Sequence, residues 1–167
     1  PSLEILGTLT ETDLAYLHAM KERGMENIML SYVEKISDIE EVKSYLPDAE
    51  IILKIETQAG LKFAEKHGHK YGRLAAARGD LFIEVPQPHK IISALKKIIQ
   101  IDPDAIVASR FLDSLAYHPV PSSADISDVA FLLTEGYKTF MLGDIICLER
   151  GTLVEALNLL KAILDDR

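Results

Sequence analysis

The sequence predicts an α/β protein built around a parallel β-sheet. Short apolar runs alternate five times with longer stretches in which apolar residues recur at helical spacing. One run, residues 51–55, reads Ile-Ile-Leu-Lys-Ile and is typical of a strand buried on both faces of a parallel sheet. Strands that alternate with helices imply right-handed crossover connections. The predicted strands are residues 27–32, 51–55, 74–77, 105–109 and 139–142.

Capping residues predict where the helices start and stop. Thr10 is followed three residues later by Asp13, as in a capping box, and Gly24 ends this first helix. A second capping box is predicted at residues 37–40, and Pro47 ends the helix that it begins. The other predicted helices are residues 59–67, 88–101 and 125–134, and one that is capped by Thr152.

Two architectures contain such a series, an open doubly wound sheet and part of a (β/α)₈ barrel. The open sheet usually carries a glycine-rich phosphate loop after its first strand, and neither G-x-G-x-x-G nor G-x-x-x-x-G-K-[ST] occurs here. A complete barrel takes about 250 residues. The 167 residues of this chain therefore hold five units but not eight. This length suits one buried core, and we expect residues 1–167 to form a single domain.

The chain is acidic, with 18 Lys and Arg residues against 26 Asp and Glu and a formal net charge of −8. This balance argues against nucleic acid and against an anionic membrane surface as partners, because both attract basic patches. No apolar run reaches 18 residues, so no membrane-spanning segment is predicted. The single cysteine, Cys147, excludes an intrachain disulfide, and we expect a buried, inert thiol and a cytoplasmic location.

Polar residues follow the predicted strands at the edge of the sheet where ligands bind in both architectures. Lys54 and Glu56 lie two residues apart and therefore point to the same side of the sheet. They form either a simple ion pair or a Lys held in a low-dielectric pocket beside a metal-ligating carboxylate. Asp80 follows the next strand, either in a loop turn where it caps a short helix or as a second ligand. Two carboxylates on neighbouring strand ends suit Mg²⁺.

Three further residues at this edge are candidates for substrate binding or catalysis. Gly79 allows unusual backbone angles, so that neighbouring N–H groups can turn toward an anion. Ser109 ends the fourth predicted strand and could donate or relay a proton. Arg110 could pair with a carboxylate or a phosphate, or it could form a surface salt bridge.

The strand ends and the segments after them carry five motifs, Lys-Ile-Glu at 54–56, Ala-Arg-Gly-Asp-Leu at 77–81, Ile-Glu-Val-Pro at 83–86, Pro-Val-Pro at 119–121 and Ser-Asp-Val-Ala at 127–130. Together these motifs resemble pyruvate kinase in order and in spacing. The resemblance runs from about residue 9 to about residue 160 and corresponds to strands four to eight of that family's catalytic barrel. It implies a parallel (β/α)₈ TIM-barrel type fold in which about five of the eight strand–helix units are present.

The resemblance also implies an activity, phosphoryl transfer from phosphoenolpyruvate to ADP, which gives pyruvate and ATP through an enolate stabilised by Mg²⁺. Glu56 and Asp80 would hold Mg²⁺ or Mn²⁺, and Lys54 would stabilise the transferring phosphoryl group and the enolate. The backbone N–H groups of Gly79 and Asp80 would bind the substrate carboxylate. Ser109 takes the place of a threonine implicated in proton delivery, which makes it both a catalytic and a substrate-binding candidate.

Other positions complete or alter the family pattern. Arg78 matches an arginine of the family, and we expect it at the substrate site with a mainly structural role or at subunit contacts. Phe82 replaces a glycine and is expected to crowd the substrate loop, and Arg110 replaces a glutamine. The loop at Gly143-Asp144 is shortened. The first three barrel strands, which carry the phosphate-gripping arginine and the K⁺ ligands in the family, have no counterpart here.

Pro1 in place of an initiating Met, together with the missing units, leads us to expect a segment of a longer protein, a homo-oligomer, or a half-barrel that associates with a missing N-terminal half. Two other functions stay open. One is a Mg²⁺-dependent carbon–carbon lyase like citrate lyase or the hydroxy-acid aldolases, which would not need Lys54. The other is a non-catalytic half-barrel that binds metal.

Overall fold

Five parallel strands form one sheet in the computed structural model, which describes residues 9–166. Each strand pairs with the strand that follows it in the chain, so the strand order runs from first to fifth without a reversal. A doubly wound sheet reverses its strand order partway, whereas successive barrel strands lie side by side. The fold is therefore a partial (β/α) barrel. The strands are β1 (Asn27–Leu30), β2 (Glu50–Ile55), β3 (Arg73–Ala77), β4 (Ile106–Ala108) and β5 (Thr139–Met141).

The helices confirm the predicted alternation, with one helix before β1 and at least one after every strand. The structure adds two elements that the sequence did not predict, a short helix after β5 and a 3₁₀ turn at Asp113–Ala116. A short helix also follows β3, where the sequence offered one as an alternative, but its N-cap is Ala77 and Asp80 lies in its first turn. No helix within residues 9–166 is long and apolar enough to cross a bilayer. The helices are α1 (Glu11–Arg23), α2 (Ile36–Tyr45), α3 (Gln58–His67), α4 (Arg78–Glu84), α5 (Lys90–Ile101), α6 (Ser123–Glu135), α7 (Asp144–Cys147) and α8 (Arg150–Asp165).

The capping prediction is correct for α1 and wrong for α2 and α8. The Thr10 hydroxyl accepts the Asp13 N–H at 3.2 Å, and the Asp13 carboxylate accepts the Thr10 N–H at 2.8 Å. In α2 the N-cap is Lys35, because the Asp38 carboxylate reaches back to accept the Lys35 N–H at 3.0 Å. The helix therefore starts two residues earlier than predicted. Thr152 lies inside α8 and does not cap it.

The strands β3 and β4 are buried on both faces. In β2, for which the apolar run predicted such burial, the buried residues alternate with the partly exposed Ile52 and Lys54. All three residues of β4 are buried, and in β3 only the first residue, Arg73, is partly exposed. The outer helices cover these strands with apolar stripes, and α5 contributes Ala94, Leu95, Ile98 and Ile99 to the main core. A second, smaller apolar cluster lies beside β5. Its buried members are Phe111, Leu112, Leu115, Val129, Leu133, Ile146 and Ala156.

Both outer strands keep one side open within the part of the chain that the structure describes. β1 pairs only with β2, and β5 pairs only with β4. Large apolar side chains are also exposed near β5 and along α8. An open strand edge beside exposed apolar surface favours association with another chain or segment. The exposed apolar residues of this region are Met141, Ile145, Leu148, Val154, Leu157 and Leu164.

Gly72 directly precedes β3 and lies against the neighbouring strand β2. A Cβ atom at this position would lie 2.0 Å from the Ile51 carbonyl oxygen, far inside contact distance. We therefore expect Gly72→Ala to lower the free energy of unfolding by about 3 kcal/mol, because the two backbones must separate. Urea unfolding measures this change.

Gly151→Ala is the matched control for that measurement. A Cβ atom at Gly151, in the first turn of α8, meets no atom within 4 Å. This substitution is expected to be neutral or slightly stabilising, because alanine loses less backbone freedom than glycine in a helix. Equal destabilisation by both substitutions would contradict the steric argument.

Candidate active site

Lys54 and Glu56 form an ion pair at the carboxyl end of β2. The Lys54 Nζ lies 2.7 Å from the Glu56 Oε1, and it also donates a hydrogen bond to the Ser31 hydroxyl at 3.0 Å. The Glu56 carboxylate is fully buried, whereas the Lys54 side chain is 22% exposed. The two side chains lie on the same side of the sheet, as their spacing predicted. The ammonium group is thus fixed in position and is still partly exposed at the carboxyl ends of the strands.

Tyr32 connects the two predicted metal-binding carboxylates, and sequence reasoning missed it. Its backbone N–H donates to the Glu56 Oε2 at 2.5 Å, and its side chain forms a hydrogen bond with Asp80. The residue adopts a φ of 54°, which turns the chain at the end of β1. The negative charge of Asp80, then desolvation and the charge of Glu56, raise the pKa of the Tyr32 phenol. One indication of Tyr32 was present in the sequence, because this residue ends the predicted strand 27–32.

The raised pKa of Tyr32 gives a pH-dependent prediction. Asp80→Asn removes the main cause of the shift, so the midpoint of phenol ionisation should fall toward the ordinary value of about 10. The ¹³Cζ resonance of Tyr32, followed by NMR against pH, reports this midpoint. Glu22→Gln, on the exposed face of α1, removes a carboxylate elsewhere and should leave the midpoint unchanged. An unchanged midpoint in Asp80→Asn would mean that the phenol does not sense that carboxylate.

The donor atoms at this edge fit a magnesium ion that shares its ligands with a substrate. Glu56 and Asp80 offer only oxygen atoms, and Mg²⁺ is typically held by one or two carboxylates, with substrate oxygens and water as the other ligands. No group of three or more His, Cys, Asp or Glu residues within 9–166 is arranged to hold a metal. The site therefore fits an ion held partly by substrate and does not fit a closed structural metal centre.

Ser109 lies beside the backbone of Gly79. A Cβ atom at Gly79 would lie 3.6 Å from the Ser109 hydroxyl oxygen, and one at Gly143 would lie 3.8 Å from the Ser109 Cβ. The Ser109 N–H donates to the Met141 carbonyl at 2.9 Å, which ties the end of β4 to β5. The serine hydroxyl is thus held next to the first turn of α4, which contains Asp80.

Arg78 is buried, and its side chain connects three elements. Its Nη2 donates to the Asp128 carboxylate on α6 at 2.7 Å and to the backbone carbonyl of Arg110. Its guanidinium also lies over the Phe111 ring, 5.9 Å from the centroid. These contacts fit the structural role that the resemblance implied for this arginine. A direct contact of its side chain with substrate stays a prediction.

The turn after β4 is strained. Ser109, Arg110 and Leu112 have φ values of 59°, 54° and 60°, in the left-handed region that side chains other than glycine rarely adopt. Each such residue costs about 1–3 kcal/mol and persists only where neighbouring contacts hold it. Here the Arg78 side chain and the Met141 carbonyl hold the turn from both sides. Strain of this kind is common in active sites.

Phe82 and Arg110, which both differ from the family pattern, contact each other. The Arg110 guanidinium lies over the Phe82 ring, 5.3 Å from the ring centroid. Arg110 forms no ion pair with any residue between 9 and 166, so the alternative of a surface salt bridge is wrong for this part of the chain. Cys147 is another correction, because its side chain is exposed and not buried.

Comparison with known proteins identifies the family. A family model described as "Pyruvate kinase, barrel domain" matches residues 3–146. A pyruvate kinase of Methanocaldococcus jannaschii is 34% identical over 147 residues, which cover 83% of this chain and 33% of that protein. A pyruvate kinase of Thermoplasma acidophilum is 30% identical over 168 residues, or 96% of this chain and 30% of that protein. Pyruvate kinase 1 of Candida glabrata is 31% identical, over 82% of this chain and 29% of that protein.

The chain spans about a third of the length of these curated relatives. The match falls on the barrel domain and includes every strand of the sheet. The same family is indicated by the partial (β/α) barrel, by the motifs at the strand ends and by the relatives. The chain belongs to the pyruvate kinase family, through its barrel domain.

Proposed function

We propose that this chain is the C-terminal part of a pyruvate kinase-like catalytic barrel, a single domain that transfers a phosphoryl group from phosphoenolpyruvate to ADP. The arrangement of Lys54, Glu56 and Asp80 at the carboxyl ends of β2 and β3 carries this proposal. An ordered ammonium group lies beside the Glu56 carboxylate, and Asp80 follows the neighbouring strand. Phosphoryl transfer requires charges of both signs of this kind. Membership of the pyruvate kinase family supports the same reaction.

Glu56 and Asp80 are the residues that would hold Mg²⁺ or Mn²⁺. A bound divalent ion supplies positive charge to the oxygens of the phosphoryl donor. Of the two carboxylates, Glu56 is already oriented by Lys54 and by the Tyr32 N–H, and Asp80 by the Tyr32 side chain. This preorganisation lowers the cost of bringing two negative groups to one site.

Lys54 is the group that stabilises the transferring charge. In the proposed reaction the P–O bond of phosphoenolpyruvate breaks, a terminal oxygen of ADP takes the phosphoryl group, and the enolate of pyruvate leaves. Charge spreads over the phosphoryl oxygens in a loose transition state, so positioned cations contribute more than covalent chemistry does. The Lys54 ammonium, fixed by Glu56 and Ser31, is such a cation.

Ser109 and the Gly79–Asp80 backbone complete the proposed site. The backbone N–H groups of Gly79 and Asp80 bind the substrate carboxylate, and the Ser109 hydroxyl lies beside them. Ser109 then delivers the proton that the enolate carbon takes up to form pyruvate. The strained turn that carries Ser109 fixes its backbone beside Gly79.

The open edges of β1 and β5 support a further part of the proposal. We place the working protein in the cytoplasm as an oligomer, or as a complex of this chain with the rest of the barrel. Exposed apolar residues beside β5 would be covered in either assembly. Light scattering coupled to gel filtration measures the mass of the assembled species.

Pyruvate release from phosphoenolpyruvate and ADP tests the function directly. The 167-residue chain, its mass confirmed, is assayed with Mg²⁺ and K⁺ and with each component omitted in turn. We expect pyruvate formation that requires ADP and Mg²⁺. Absence of turnover together with intact Mn²⁺ binding would instead point to a non-catalytic half-barrel.

A further inference from the structure

We propose that Arg110 binds the carboxylate of the anionic substrate and that Phe82 positions the Arg110 guanidinium for this contact. The inference rests on the proposed function and adds a side-chain cation to the backbone groups already assigned to that carboxylate. It also explains why Phe82 and Arg110, which both differ from the family pattern, occur together. Arg110 is the substrate-contacting group, and Phe82 acts through Arg110.

The location of the guanidinium carries the proposal. A Cβ atom at Gly79 would lie 3.9 Å from the Arg110 Nε and 3.6 Å from the Ser109 hydroxyl oxygen. The missing side chain at Gly79 therefore leaves a space bordered by a cation and a hydroxyl. A carboxylate bound to the backbone of Gly79 and Asp80 would lie against both groups.

The guanidinium is also available for a ligand. Among residues 9–166 it forms no ion pair and donates no hydrogen bond, and it lies over the Phe82 ring. The buried Asp113 Oδ1 has no hydrogen-bond partner, so even this nearby carboxylate is not paired with Arg110. The pKa of Asp113 is raised, mainly by burial and then by Asp125, although the charges of Arg78 and Arg110 oppose the shift.

The backbone of Arg110 is fixed, although its head group is free. Its carbonyl accepts a hydrogen bond from the buried Arg78 side chain, and its φ of 54° belongs to the strained turn. The side chain therefore leaves the backbone in one defined direction. A cation on a fixed backbone loses less freedom on binding a ligand than one on a mobile loop.

Phe82 limits the remaining freedom of the side chain. The guanidinium lies over its ring at 5.3 Å, a geometry in which the ring face attracts the cation. The N–H groups of the guanidinium form no hydrogen bond with residues 9–166, and two N–H groups of an arginine match the two oxygens of a carboxylate. Phe82 is also 38% exposed, which is unfavourable for an aromatic ring that has no role at the surface.

Oxalate, a small dicarboxylate, is the probe for this contact. Isothermal titration of the full chain with oxalate in the presence of Mg²⁺ measures its affinity. We expect Arg110→Gln to weaken oxalate binding by about tenfold or more, the effect of losing charge-assisted hydrogen bonds. Phe82→Leu should weaken binding by about two- to fivefold, because it removes only the stacking contact.

Arg23→Gln is the matched control. Arg23 lies in the last turn of α1, before β1 starts, at the opposite end of the sheet from the proposed site. Its substitution changes the net charge by the same amount as Arg110→Gln and should leave the oxalate affinity unchanged. Circular dichroism of each variant establishes that the fold is retained.

Three results would overturn the inference. The first is that the unsubstituted chain does not bind oxalate. The second is that Arg110→Gln binds oxalate as tightly as the unsubstituted chain does. The third is that Arg110→Gln binds inorganic phosphate more weakly but does not bind oxalate more weakly. Tighter binding by Phe82→Leu would show that the ring crowds the site and does not position Arg110. The proposed function is judged separately, by Mn²⁺ binding and pyruvate release in Glu56→Gln. Arg110 can therefore fail while the metal site and the reaction stand.

Discussion

Removal of either carboxylate, Glu56 or Asp80, is expected to abolish divalent-ion binding. Both carboxylates lie near Tyr32 at the carboxyl ends of β2 and β3: Glu56 accepts the Tyr32 N–H, and the charge of Asp80 acts on the Tyr32 phenol. Mg²⁺ held by two carboxylates and otherwise by water or substrate has few protein ligands to lose. Loss of one carboxylate halves both the ligand set and the negative charge that attracts the ion.

The choice of substitution matters because Glu56 is buried. Glu56→Ala removes the partner of the Lys54 ammonium and the acceptor of the Tyr32 N–H, so this variant is expected to lose stability as well. Glu56→Gln keeps an oxygen for the Tyr32 N–H and is the cleaner test. Asp80 is only partly buried, and Asp80→Asn or Asp80→Ala should retain the fold.

Electron paramagnetic resonance of free Mn²⁺ during a titration measures the affinity in each variant. Glu22→Gln, an exposed substitution on α1 with the same charge change, is expected to bind Mn²⁺ like the unsubstituted chain. Unchanged Mn²⁺ affinity in either Glu56→Gln or Asp80→Asn would remove that residue from the metal site. Unchanged affinity in both would defeat the metal assignment as a whole.

Lys54→Met is expected to leave metal binding intact while it lowers phosphoryl transfer by about 10²-fold or more. That factor is the usual effect of losing one preorganised electrostatic group in an active site. Methionine keeps the length and apolar surface of the lysine stem but has no charge. The remaining Glu56 carboxylate stays bonded to the Tyr32 N–H, so a ligand for the metal is still in place.

Pyruvate release and Mn²⁺ titration on the same preparation separate the two effects. Lys97→Met is the matched control, because Lys97 also forms an ion pair, with Glu65 on α3, but lies on the outer helix α5. This control should turn over normally. Near-normal turnover by Lys54→Met would remove Lys54 from the mechanism. A carbon–carbon lyase does not need this lysine, so lyase activity that survives the substitution would favour that alternative.

Much of the fold could be predicted from local patterns. The alternation of apolar runs and helical stretches located all five strands, and Thr10 and Gly24 located both ends of α1. These patterns depend on residues within one turn or one strand of each other, so a single sequence contains them. The short helix α4 was expected only as one alternative, with Asp80 as its cap, whereas the helix begins at Arg78 and Asp80 lies in its first turn.

Part of the candidate site could also be predicted from the sequence. Lys54 and Glu56 were expected on one side of the sheet because side chains alternate along a strand, and their 2.7 Å ion pair agrees. Tyr32 was not expected, because its contacts with Glu56 and Asp80 join the ends of three different strands. Nothing within a few residues of Tyr32 indicates those partners.

The sequence alone determined the α/β class, the five strand–helix units and the polar residues at the strand ends. Only the tertiary structure decided that the strands follow one another without reversal, because both architectures share the same one-dimensional pattern. It also decided that Arg110 lies over Phe82 and that Cys147 is exposed. The physical reason is the same in each case: these features arise from packing between residues far apart in the chain, whereas propensity and periodicity act only on neighbours.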